Sequence, residues 1–104
     1  MRKYRNQTCN GYHSKKEAKR ALELMVLERA GKIQNLREQV RIELLPAQYL
    51  EGRCIERAVH YVADFAYTEN GIEILEDVKG FRTDTYKLKK KLLLFRHGIR
   101  IRET

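Results

Sequence analysis

Three ionisable residues, Asp64, Asp77 and Lys79, stand in two segments that otherwise have the composition of buried strands, YVADFAYTENG and EILEDVKG. A buried charge is costly unless it is paired. Asn70-Gly71 is the strongest short-range hairpin signal, and a two-residue turn there sets Asp64 opposite Asp77. Facing carboxylates destabilise a strand pair. The pattern therefore predicts a positive charge between the two aspartates, provided that no bulge interrupts the strands.

A divalent cation would turn this repulsion into coordination. Magnesium, with manganese as a substitute, suits the site because it takes one or two protein carboxylates, keeps several waters and binds phosphate. Lys79 lies two residues after Asp77 and hence on the same strand face. There it would orient or deprotonate an attacking water, or neutralise charge in a phosphoryl transition state. The structural alternative is a buried Asp–Lys ion pair, with the Asp64 carboxylate capping backbone groups.

Hydrophobic patterns predict the elements that position these residues. In order they are a helix after the N-cap Ser14 that ends at Gly31, strands over 37–45, 57–67 and 72–79, a helix from Thr83 or Asp84 to Gly98, and a strand over 99–102. Pro46 stops the first strand, and a loop through Gly52 follows. The αβββαβ order predicts an α/β fold with a mixed central sheet flanked by helices, the second helix being the crossover.

The chain of 104 residues fits a single domain, 1–104, whose first residues, 1–12, form a basic arm. It contains no apolar run of roughly 20 residues and no secretory signal, so a membrane protein is excluded and the cytoplasm is expected. The net charge of +8 is uneven: residues 1–20 and 79–104 are basic, whereas residues 21–78 are acidic. Basic flanks would suit a polyanion held at the edges of a cation site, although a generic solubilising surface is an alternative.

Asp64, followed in the next strand by Asp77-Val78-Lys79, resembles the motif of the PD-(D/E)XK nuclease superfamily. The segments SKKEAKR, YVADFAYTENG and EDVKGFRTDTYKLKKKL more narrowly resemble a phage-encoded family of small uncharacterised proteins assigned to that superfamily. The resemblance implies a restriction-endonuclease-like core, metal ligation by Asp64, Asp77 and the Val78 carbonyl, and catalytic roles for Asp64, Asp77 and Lys79. Ala63 stands where the motif has its proline.

Glu17 has two interpretations. In many such nucleases a glutamate of the first helix reaches the metal, so the resemblance implies a catalytic and metal-binding Glu17. Ser14 and Glu17 also have the spacing of a capping box, in which the glutamate binds the N-cap amide. Glu76 is expected to face away from Asp77 and either to pair with an arginine or to be exposed at a sheet end.

Basic residues near both helix starts are predicted to grip phosphates. They are Lys15, Lys16, Lys19, Arg82, Lys87, Lys89, Lys90 and Lys91, joined by Tyr86. The alternative for the lysines of the second helix is a solvated face.

Together these features predict a Mg²⁺-dependent DNA endonuclease acting in phage DNA metabolism in the host cytoplasm. Analogy with small resolvases predicts a structure-selective enzyme of the Holliday junction resolvase kind, cutting branched or duplex DNA as a homodimer. One alternative is a catalytically inactive nucleic-acid-binding module with the same fold. Another is an RNA-binding accessory protein.

Overall fold

A computed structural model of the chain describes residues 11–12, 14–78 and 82–104. Lys79 and most of the basic arm lie outside the described residues. The elements are α1 (Lys15–Arg29), β1 (Gln34–Leu45), β2 (Gln48–Leu50), β3 (Arg53–Glu56), β4 (Val59–Glu69), β5 (Ile72–Asp77), α2 (Asp84–His97) and β6 (Arg102–Glu103).

The main sheet has the strand order β1-β4-β5-β6. Strand β4 runs antiparallel to β1 and β5, whereas β6 is parallel to β5 because helix α2 carries the chain across the sheet between them. This architecture confirms the predicted α/β class with a mixed sheet flanked by helices.

Each helix covers a hydrophobic cluster of its own. The α1-side cluster consists of Ala21, Leu24, Ile33, Phe65 and Tyr67. The α2-side cluster consists of Leu44, Tyr61, Ala63, Ala66, Leu75 and Leu93. Consecutive residues of β5 alternate between them, because Ile74 packs on the first cluster and Leu75 belongs to the second. The two helices therefore lie on opposite faces of the sheet.

The predicted hairpin is confirmed. Asn70 and Gly71 have φ values of 52° and 78°, the left-handed conformation that a type I′ turn needs at both positions. Glu69 pairs with Ile72, and the ladder continues in that register to Phe65 and Glu76. Asp64 and Asp77 are the next residues beyond the last ladder pair.

The loop predicted through Gly52 is wrong. Strands β2 and β3 form a separate antiparallel hairpin there, with left-handed backbone at Glu51 and Gly52. All its strand residues are exposed, among them Tyr49, Leu50 and Ile55. A Glu-Gly turn between short strands without a buried face carries little sequence signal, which explains the error.

Several predicted boundaries also differ from the structure. Strand β1 begins at Gln34, β4 covers Val59–Glu69, and β5 ends at Asp77. Strand β6 is confined to Arg102–Glu103, since Ile99 and Ile101 pack against the α2-side cluster instead of extending the ladder. Of the two caps proposed for α2, Thr83 is the N-cap, and its side chain accepts the Tyr86 N–H.

Side chains of β1 and β4 alternate between the two faces of the sheet, and in both strands this alternation is interrupted at the same level. In β1, Leu36 packs on the α1-side cluster, whereas Val40 and Ile42 pack on the α2-side cluster. In β4 the change falls between Ala63 and Phe65. The pairs Glu38–Phe65 and Val40–Ala63 bracket this level, which places Gln39 opposite Asp64. Gln39 has a left-handed φ of 53°, which accounts for the change of face in β1.

Candidate active site

Asp64 and Asp77 meet where the β4–β5 ladder ends. The Asp64 N–H donates to Asp77 Oδ1 at 2.9 Å, and the Val78 N–H donates to Asp64 Oδ2 at 3.0 Å. Each carboxylate therefore accepts a hydrogen bond from a backbone N–H of the opposite segment. In a regular ladder a backbone carbonyl would be the acceptor. The predicted proximity of Asp64 and Asp77 is thus confirmed, even though β4 changes face at Asp64.

Asp77 is fully buried. Its Oδ2 accepts a hydrogen bond from the Tyr61 hydroxyl, and its backbone carbonyl accepts the Thr104 N–H at 3.0 Å. Burial, together with the bond to Asp77, raises the pKa of Tyr61 well above its ordinary value, so the phenol remains a donor at physiological pH. The Asp77 carboxylate is thereby fixed from two directions.

Asp64 is half-buried and uses only Oδ2 in the hydrogen bond to Val78. This bond is the backbone capping that the structural alternative anticipated. A carboxylate oxygen has two lone pairs, so the bond does not prevent Asp64 from also binding a cation. Val78 follows the last residue of β5 and is half-buried, and Lys79, the predicted catalytic lysine, follows it outside the described residues.

Glu17 lies in the first turn of α1 and is buried. Its N–H donates to Ser14 Oγ at 3.1 Å, which is the N-cap half of the capping box. Its carboxylate Oε2 lies 3.4 Å from Gln39 Nε2, the residue opposite Asp64. The side chain therefore extends from the helix towards the level of Asp64.

The donor set can be tested against the expected magnesium ion. Among the described residues, no three Asp, Glu, His or Cys side chains are grouped so that they could hold a metal, so Glu17 does not complete a cluster with Asp64 and Asp77. Magnesium needs fewer protein ligands than this, because waters and substrate phosphates commonly complete its octahedron. Two carboxylates and a backbone carbonyl are hard oxygen donors of the type that magnesium prefers.

Two pockets flank the end of β5. One, of about 240 Å³, is lined by Asp77, Tyr61 and Tyr86 together with Lys89. The other, of about 210 Å³, is lined by Val78 and by α1 residues that include Lys16 and Lys19. Basic side chains from both helices thus lie near the end of β5, Lys89 of α2 beside Asp77 and the α1 lysines beside Val78, which favours binding of an anionic ligand.

The predicted phosphate contacts differ in their partners. Lys15, Lys16, Lys19, Lys87 and Lys91 are exposed, and Lys89 is half-buried. Arg82, Tyr86 and Lys90 converge on the Glu103 carboxylate, with Arg82 Nη2 at 2.9 Å and Lys90 Nζ at 3.3 Å. The Arg82 and Tyr86 hydrogen bonds lower the pKa of Glu103 to about 2. These three side chains tie α2 to β6, so their positive charge is partly neutralised within the chain.

The prediction for Glu76 is confirmed. Glu76 is fully buried on the α1 face, where Arg20 Nε donates to its Oε2 at 2.6 Å and the Tyr67 hydroxyl donates to Oε1. Although burial raises the pKa of Glu76, these bonds outweigh it and the pKa is lowered. Glu76 and Arg20 therefore form a structural ion pair that joins β5 to α1.

Sequence reasoning missed two residues of the site, Tyr61 and Gln39. In the sequence, Tyr61 cannot be distinguished from the other apolar residues of a buried strand. Its contact with Asp77 depends on where β5 ends. Gln39 gave no signal, because glutamine is not among the residues that favour left-handed backbone.

Comparisons with known proteins add a family but no activity. Residues 1–102 match the model of a family described as Protein of unknown function (DUF1064). Searches of curated proteins and of solved structures gave no match. Within the described residues, neither helix has the length and apolar composition needed to cross a membrane.

Proposed function

The chain belongs to the DUF1064 family, and we propose that it is a Mg²⁺-dependent DNA endonuclease. The observation that carries this proposal is the pairing of Asp64 with Asp77 at the end of the β4–β5 ladder, through the Asp64 N–H at 2.9 Å. Two carboxylates kept together at a strand end, beside pockets bordered by lysines, are an expected arrangement for binding a cation and a phosphate.

In this proposal the chain's own groups hold and orient the substrate. Asp64, Asp77 and the Val78 carbonyl would hold the ion, which supplies Lewis-acid polarisation of phosphate oxygens when bound. Lys79 would orient the attacking water or neutralise charge on the transition state. Lys16 and Lys19, exposed at the Val78 pocket, would contact the neighbouring phosphates.

The finer version of the proposal is a structure-selective endonuclease of the resolvase kind acting on branched DNA in phage DNA metabolism. It rests on analogy with small resolvases. Symmetric incision of a junction needs two sites related by a two-fold axis, so this version includes a homodimer. A monomer that cuts only one strand would contradict it while leaving the nuclease proposal intact.

A second candidate is a nucleic-acid-binding module without catalysis. The burial of Asp77 favours it, together with the backbone bond of each aspartate, because both carboxylates then have a structural role. In that case the exposed lysines alone would account for function. The RNA-binding version predicts tighter binding of RNA than of DNA at equal salt concentration.

Cleavage of labelled DNA tests the proposal, using a four-way junction, a duplex and a single strand with Mg²⁺, Mn²⁺ or EDTA. The informative variant is Asp64→Asn, because its amide oxygen can still accept the Val78 N–H while the charge is lost. The matched control is Glu73→Gln, which removes an exposed carboxylate from the other end of β5.

We expect wild-type protein and Glu73→Gln to cleave with either metal but not with EDTA. Asp64→Asn should bind DNA normally and lose at least about 100-fold in cleavage rate, since a metal ligand contributes several kcal/mol to the transition state. Salt-sensitive DNA binding without cleavage of any substrate would refute the nuclease and favour the binding module.

A further inference from the structure

Two features coincide at Gln39. It has a left-handed backbone, with φ of 53°, within the 12-residue strand β1, and its side-chain amide lies 3.4 Å from the buried Glu17 carboxylate. A non-glycine residue in this conformation costs of order 1 kcal/mol and persists only where its surroundings impose it. Such residues concentrate at functional sites.

The position of Gln39 in the sheet connects it to the aspartate pair. The bracketing pairs Glu38–Phe65 and Val40–Ala63 put it opposite Asp64, at the level where both strands change face. At that level the Asp64 N–H leaves the regular ladder and donates to Asp77. The backbone of Gln39 thus shapes the sheet beside Asp64, while its amide reaches Glu17 on the helix.

We propose that Gln39 is a positioning residue of the site: its left-handed backbone shapes β1 opposite Asp64, and its amide holds the Glu17 carboxylate at that level of the sheet, so that both acids keep their places beside the substrate phosphate. This inference rests on the proposed nuclease function and deepens it. It assigns Gln39 no contact with the reacting atoms, since the residue acts through Glu17 and Asp64.

Replacement by glycine separates this role from a structural one. Glycine adopts the left-handed backbone without strain but has no amide for Glu17. The control is Asn35→Gly, because Asn35 is also exposed, lies in β1 and has nearly the same φ of 55°. It lies between the pairs Gln34–Thr68 and Arg37–Ala66, away from the level of Asp64.

We expect both glycine variants to unfold within a few degrees of the wild type. Gln39→Gly alone should lower kcat by about 10- to 100-fold, the effect of a misplaced catalytic group, with KM for DNA unchanged. It should also raise the Mn²⁺ concentration that gives half-maximal cleavage. Asn35→Gly should change neither quantity.

Each other outcome overturns the inference. If wild type cleaves and Gln39→Gly cleaves equally well with the same Mn²⁺ dependence, the inference fails and the nuclease proposal stands. If Gln39→Gly fails to fold while Asn35→Gly folds, Gln39 is structural. If wild type cleaves no DNA with any metal, the proposed function and this inference fail together.

Discussion

Tyr61 donates a buried hydrogen bond to the Asp77 carboxylate. Its hydroxyl donates to Asp77 Oδ2, and burial together with that bond raises its pKa, so the donor persists across the physiological range. Asp64 supplies another bond to Asp77 through its N–H. A buried carboxylate that loses a donor is less well satisfied.

The change Tyr61→Phe tests this role. It removes the donor and keeps the ring, so we expect it to lower the free energy of unfolding by about 1.5 to 3 kcal/mol, the range for hydrogen bonds to charged groups. Urea denaturation measures the loss. The exposed Tyr49→Phe is the control and should change stability by less than about 0.5 kcal/mol. Equal stability of the two variants would contradict the role assigned to Tyr61.

At the scale of elements, Glu103 links β6 to α2 through Arg82, Tyr86 and Lys90. Its pKa falls from 4.5 to about 2 because the folded chain stabilises the ionised carboxylate. The stabilisation is therefore complete above about pH 4.5 and is lost as the pH falls towards 2.

The pH dependence of unfolding checks this link. We expect Glu103→Gln to be less stable than wild type by about 1 kcal/mol at pH 6, the scale of a partly exposed ion-pair network. The difference should shrink as the pH falls from about 4.5 towards 2. The exposed Glu51→Gln, in the β2–β3 hairpin, is the control. A difference that stays constant from pH 6 to pH 2 would contradict the assigned pKa.

Elements fixed by local signals were predictable from the sequence. Asn70-Gly71 set the β4–β5 register, and with it the meeting of Asp64 and Asp77, because a type I′ turn is encoded by two adjacent residues. The left-handed Gln39 and the β2–β3 hairpin were not predictable, since neither has such a local code. The role of Tyr61 was not predictable either, because it depends on a tertiary contact with Asp77, the last residue of β5.

At the scale of the whole molecule, the net charge of +8 and the lysines of α1 predict salt-dependent DNA binding. Lys19 is exposed at the Val78 pocket, whereas Lys32 is exposed beyond the other end of α1. If α1 contacts DNA beside the acidic pair, Lys19→Gln should reduce the slope of log K against log salt concentration by about 1. Lys32→Gln should leave it unchanged. Equal slopes for the two variants would show that α1 does not contact DNA beside the acidic pair.

The central claim is that the paired aspartates bind a divalent cation, and Mn²⁺ binding followed by electron paramagnetic resonance tests it most directly. Wild type, Asp64→Asn and Glu73→Gln would be titrated in the presence of a DNA duplex with a non-hydrolysable phosphate linkage. The account predicts a site in wild type and in Glu73→Gln that Asp64→Asn weakens by at least about 10-fold, as expected for loss of a ligand. Equal Mn²⁺ binding by all three proteins would contradict it.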